Sequence, residues 1–168
     1  QAPGKWWHHL GRETFLAPVT WDKDGWPVVN GSGEVYLDMD YDTLPLVPVE
    51  SDPARDDFES GKLNLCWNFL RNPSDKDWSL TERPGFLRLN GSAVSLSDQD
   101  SPAWVGRRQQ HFAFTAETIL EFTPTSENEE AGITVLMNNE HHYDLTLTFR
   151  NGKRCAVLKK QIGDIHEE

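Results

Sequence analysis

The sequence predicts an all-β protein of antiparallel strands, a sandwich or a barrel, and three observations predict it. Residues 142–150 alternate: Tyr143, Leu145, Leu147 and Phe149 fall on one side, Asp144, Thr146, Thr148 and Arg150 on the other. That alternation marks a half-buried antiparallel strand. Short apolar runs recur along the chain with turn residues between them, the spacing of sandwiches and barrels. No segment carries an apolar stripe at helical spacing.

Taken in order, Thr14–Trp21 is mostly apolar, and Trp26–Val29 follows the polar turn Asp22-Lys-Asp-Gly25, so both are strand candidates. Residues 38–53 change character. Asp38-Met-Asp-Tyr-Asp42 leads into Leu44-Pro-Leu-Val-Pro-Val49 and Ser51-Asp-Pro53. Prolines this close stiffen a chain into extended structure, which reads as a linker. Leu63–Phe69 follows as a strand with Leu63, Leu65, Trp67 and Phe69 on one face. Phe86–Leu89 and Val94–Leu96 are shorter strands separated by an Asn90-Gly91 turn. Phe112–Phe122 is a longer strand, and Gly132–Met137 the next. After the alternating strand, Asn151-Gly152 predicts a tight hairpin turn in which both residues take positive φ. Cys155–Leu158 is the return strand.

At 168 residues the chain is long enough to bury a core, and 37% hydrophobic residues is too many for disorder. A net charge of −11 argues against nucleic acid and against an anionic membrane surface, because both require a basic patch. No apolar run has the length of a membrane span. A neutral ligand such as a sugar is compatible with this charge. Seven tryptophans would suit stacking on sugar faces, although filling a β core is the simpler use for them. Cys66 and Cys155 sit in strand-like runs and read as two small buried thiols rather than a bridge.

Few residues carry chemistry. Arg12-Glu13 follows Gly11 between apolar residues. A guanidinium there could fork onto two sugar hydroxyls, and a plain ion pair with Glu13 is the simpler alternative. Glu13 lacks a facing carboxyl group with which to cleave a glycosidic bond. Asp38-x-Asp-x-Asp42 begins like a calcium loop, but the sixth and twelfth positions are Thr43 and Val49 where glycine and glutamate are needed. Asp56-Asp57 leaves calcium at a sandwich edge open; exposed charge is the simpler reading. His8-His9 and His141-His142 are adjacent pairs, and strand neighbours point to opposite faces, so neither pair shares a metal. Arg107-Arg108 reads as groove lining or, by default, inter-sheet ion pairing. No phosphate loop and no serine-nucleophile motif occurs.

Longer stretches carry a resemblance. His9-Leu-Gly-Arg-Glu-Thr-Phe-Leu-Ala-Pro-Val-Thr-Trp21 and Gly25-Trp-Pro-Val-Val-Asn30 resemble the closing stretch of the catalytic five-bladed propeller in glycoside hydrolase family 43. Trp67-Asn-Phe-Leu-Arg-Asn-Pro73, Trp78-Ser-Leu-Thr-Glu-Arg-Pro-Gly-Phe-Leu-Arg-Leu89, Val105-Gly-Arg-Arg-Gln109, Glu130-Ala-Gly-Ile133 and His142-Tyr-Asp-Leu145 resemble the concanavalin A-like β-sandwich of that family's β-xylosidases. The resemblance covers almost the whole chain. It implies three parts: residues 1–37 as the last propeller strands, 38–54 as the proline-rich linker, and 55–168 as the sandwich, whose last strands would lie outside the chain. An open apolar face would then need a partner.

The resemblance further implies a β-xylosidase or α-L-arabinofuranosidase that inverts configuration with an Asp base, a Glu acid and a second Asp. No segment here matches those three motifs, so no catalytic residue is expected in this chain. Arg12 alone carries over, as a contact to hydroxyls of the terminal sugar. Two departures stand out: Trp7 runs directly into His8-His9, where relatives carry several more residues, and the family's capping loop lies in a part this chain lacks. The chain therefore reads as the carboxy-terminal piece of a larger exo-glycosidase. Its implied partners are a xylo- or arabino-oligosaccharide, met through the parent enzyme, and the catalytic propeller itself; no cofactor is implied, and self-association stays open. Two rivals remain: a carbohydrate-binding module using Trp104 or Trp78 on a sheet face, and a scaffold domain without sugar contact.

Overall fold

A computed structural model of the chain describes residues 10–11, 14–40 and 44–168. Its regular elements are all strands: β1 (Val19–Trp21), β2 (Pro27–Val29), β3 (Trp67–Phe69), β4 (Trp78–Ser79), β5 (Arg88–Leu89), β6 (Val105–Arg107), β7 (Glu130–Asn138), β8 (His141–Arg150), β9 (Lys153–Ile162) and β10 (Ile165–Glu167). The chain divides into two compact units, residues 1–54 with 109–113, and residues 55–108 with 114–168.

In the first unit β1 and β2 form an antiparallel hairpin, with Thr20 opposite Val28. Asp22 makes the turn. Its carboxylate accepts the backbone N–H of Asp24 at 2.9 Å and of Trp26 at 2.8 Å, while Gly25 takes φ 82°. This is an aspartate mimicking a backbone turn. Trp21 and Trp26 are each 71% exposed.

In the second unit every pairing is antiparallel. β3 pairs with β6 and β4 with β5, while β10-β9-β8-β7 form a four-stranded sheet. Asn151 and Gly152 take φ 50° and 75° between β8 and β9, the positive angles expected of the turn. The hairpin register runs from Arg150 opposite Lys153 to His141 opposite Ile162. β10 was not legible in the sequence; Gly163, at φ 58°, turns the chain into it.

The period of two on β8 is present, with the sidedness reversed. His142, Asp144, Thr146 and Thr148 are the buried row, whereas Val135, Tyr143, Leu145 and Leu158 form an open apolar face. The polar row tolerates burial because it is hydrogen-bonded. Thr148 Oγ1 donates to the Glu129 carbonyl at 2.9 Å, and Thr134 Oγ1 to Asp144 at 2.5 Å. Among the described residues no buried side-chain polar atom lacks a partner.

Three further expectations are corrected. Leu63–Phe69 is a strand only from Trp67; Asn64 forms a turn, its side chain accepting the Cys66 N–H at 3.2 Å, and Leu65 is 98% exposed. β5 pairs with β4 rather than with Val94–Leu96, which instead leads into a turn closed by Ser95 and Asp98. Residues 112–122 enter no β-ladder; Arg83 forks onto Glu121 near the end of that segment, its guanidinium 3.7 Å from the Phe86 ring centroid. That fork raises the Arg83 pKa and lowers that of Glu121. Both cysteines are free and half-exposed, with Cys66 in a turn.

Carboxylates that cap turns make stability pH-dependent. The Thr125 backbone N–H, with smaller help from Ser126, holds the Glu129 carboxyl below its ordinary 4.5. The Ser95 backbone N–H and hydroxyl hold Asp98 below its ordinary 3.8. A depressed folded-state pKa stabilises above the unfolded value and stops doing so as pH falls through the folded one. The urea midpoint is therefore expected to be level from pH 7 to pH 5 and to drop below the ordinary carboxylate values, less steeply in Glu129→Gln. An identical drop in that variant would show that the Glu129 carboxylate does not contribute to it.

Candidate functional site

Arg12, the predicted sugar contact, and Glu13 lie outside the described residues, as do His8, His9 and Asp42. Asp38 and Asp40 are exposed. Among the described residues no three His, Cys, Asp or Glu side chains are arranged to hold a metal ion.

The second unit brings together Asp56, Phe58, Trp67 and Arg107. Pairing of β3 with β6 sets Trp67 opposite Arg107, whose guanidinium carbon lies 5.6 Å from the indole centroid. This is cation–π distance. Asp56 accepts Trp67 Nε1–H at 2.7 Å with one oxygen and the Phe58 backbone N–H at 2.9 Å with the other. Phe58 takes φ 56°, a left-handed conformation rare for a bulky residue. Its ring lies 5.6 Å from that of Trp67. Asp56 is thus engaged by a turn and an indole, and Trp67 by Phe58 and Arg107. The arrangement ties the half-buried Trp67 into the fold through both its Nε1–H and its ring.

The other tryptophans of this unit are similarly engaged. Trp78 packs on Phe69 at 5.2 Å between centroids. The Trp104 ring lies against Gly106, where an added Cβ would come within 2.4 Å of it. Both are half-buried, not flat exposed platforms.

The sheet holds a second constellation, which sequence reasoning missed. His142 and Asp144 sit two apart on β8 and so share a face. His142 Nδ1 lies 2.8 Å from Asp144 Oδ2, and both residues are buried. Ser97 Oγ lies 3.5 Å from His142 Nε2. His141 points the other way and pairs with Asn138 at 3.0 Å. The signal for His142–Asp144 was the spacing itself; nothing local in the sequence announced Ser97, 45 residues earlier. A cavity of about 490 Å³ lies against the opposite face of the sheet, lined by residues including Leu120, Ile133, Leu145 and Ala156. It is apolar and holds no catalytic pair of carboxylates.

Residues 55–168 match the family described as the β-xylosidase C-terminal concanavalin A-like domain. The chain is 47% identical, over 96% of its length, to the non-reducing end α-L-arabinofuranosidase BoGH43B of Bacteroides ovatus, and covers 33% of that protein. It is 37% identical to a xylan 1,3-β-xylosidase of a Vibrio species, covering 95% of this chain and 30% of the relative. Among solved structures, the GH43B protein of the Bacteroides ovatus xyloglucan locus superposes with a TM-score of 0.85 at 45% identity, over 95% of this chain and 32% of that one. A xylan β-1,4-xylosidase from Bacillus halodurans superposes with a TM-score of 0.79 at 33% identity, over 90% of this chain and 29% of that one. The chain thus spans about a third of the length of the relatives it matches.

Proposed function

This chain belongs to glycoside hydrolase family 43, as a bearer of the β-xylosidase C-terminal concanavalin A-like domain, and from that premise we propose that it is the carboxy-terminal part of an exo-acting β-xylosidase or α-L-arabinofuranosidase. Residues 1–37 are read as the closing propeller strands, 38–54 as a linker and 55–168 as an accessory sandwich. The parent enzyme hydrolyses xylan-derived oligosaccharides with inversion, and the acids that do so lie outside this chain. Arg12 contacts hydroxyls of the terminal sugar. The sandwich serves the propeller structurally rather than binding sugar by itself, without a cofactor.

One observation carries this reading: beside the family match over 55–168, the chain is 47% identical to an arabinofuranosidase over 96% of its length. The engaged tryptophans support the structural role, since Trp67 and Trp78 already pack at a tilt against phenylalanine rings of the protein. Titration calorimetry of the chain with xylotriose separates the roles. The expected result is no saturable heat; a saturable isotherm lost on Trp78→Ala or Trp104→Ala would make the sandwich a carbohydrate-binding module.

A further inference from the structure

We propose that Ser97, His142 and Asp144 form a second, ester-cleaving site in the sandwich, independent of the glycosidase reading. Such triads are recognised by geometry and roles, not by order or fold. Here the order is Ser, His, Asp. Asp144 Oδ2 lies 2.8 Å from His142 Nδ1, while its other oxygen accepts the Thr134 hydroxyl at 2.5 Å. With Nδ1–H donating to the carboxylate, the neutral ring keeps its lone pair on Nε2. That lone pair faces Ser97 Oγ at 3.5 Å, the long contact usual for such a pair without substrate.

Burial divides the roles. Asp144 and His142 lie in the buried polar row, so their interaction is shielded from water, whereas Ser97 is exposed and within reach of a substrate. The loop bearing Ser97 is held at both sides. Asn139 Nδ2 donates to the carbonyls of Leu96 and Asp98, and Arg71 donates to the Asp100 carbonyl and to Asn139 Oδ1. Arg71 thereby anchors the far end of this loop through Asp100 and Asn139. Asp98 and Asp100 flank the site, so a neutral ester fits better than an anionic one.

In the reaction, Ser97 Oγ attacks the ester carbonyl carbon and its proton passes to His142 Nε2. The tetrahedral adduct collapses, the C–O bond to the alcohol breaks, and the departing oxygen takes that proton. Water then gives a proton to Nε2 and its oxygen attacks the acyl carbon. The carboxylic acid leaves and the proton returns to Ser97 Oγ. Ester and water become acid and alcohol, with no other reactant. Ser97 and His142 are the catalytic residues; Asp144 is a positioning residue.

The test uses the chain as it stands, with p-nitrophenyl acetate and a fluorophosphonate probe read by mass spectrometry. The expected result is one phosphonyl adduct on Ser97, saturable nitrophenol release, and loss of both in Ser97→Ala. That residue is exposed, so the variant keeps the tryptophan fluorescence of the parent. Asp144→Asn should lower kcat on the order of a hundredfold or more while leaving KM in place, which a merely loosened fold would not do. No adduct on Ser97, or hydrolysis that survives Ser97→Ala, overturns the proposal.

Discussion

Gly132→Ala is expected to destabilise the second unit by on the order of 3 kcal/mol, with a fall in melting temperature of roughly 10 °C. Gly132 lies opposite Thr146 in the β7–β8 ladder. A Cβ built there would meet the Leu145 carbonyl oxygen at 2.0 Å and the Thr146 Cα at 2.7 Å. Both are backbone atoms of the neighbouring strand, so no rotamer change relieves the clash. The ladder must open or β7 must bulge, and either breaks the pairing that holds the edge strand β7 to β8. Gly91→Ala is the control, because nothing lies within 4 Å of its added Cβ. Thermal unfolding reads the difference, and equal midpoints for the two variants would refute the close approach.

Asp144→Ala carries the second large effect. The variant strands two donors, the His142 Nδ1–H and the Thr134 hydroxyl, that now reach Asp144 at 2.8 and 2.5 Å. Leaving a buried donor unpaired costs about 1–3 kcal/mol, so a total near 3 kcal/mol is expected. Asp144→Asn keeps one acceptor oxygen and should lose about half as much. Urea unfolding at pH 7 decides it; an alanine variant as stable as the parent would mean that water reaches this row freely.

The sheet was legible where the code is local. Alternation along 142–150 and the Asn151-Gly152 turn located β8 and the turn into β9, because a strand's period and a turn's φ values belong to the residues themselves. Sidedness was not legible. Tyr143 and Leu145 look like the inward row, yet His142 and Asp144 are buried, since which face is covered depends on residues distant in sequence. Leu65 misled for a related reason: the alternation Leu63, Leu65, Trp67 survives on paper, but the Asn64 side chain captures a backbone N–H and turns the chain there. Residues 112–122 have strand composition, but composition supplies no ladder partner. Of the chemistry, Arg12 lies outside the described residues, and the Ser97–His142 contact was visible only through the fold.

As the proposed supporting part of a glycosidase, this chain leaves the breaking of the glycosidic bond to acids elsewhere in the parent enzyme. Release of nitrophenol from p-nitrophenyl β-D-xyloside and α-L-arabinofuranoside by the purified chain tests it most directly. Rates equal to those of a heat-denatured control are expected with both substrates. Glycoside turnover above that control, abolished by removing one carboxylate of this chain, would contradict it.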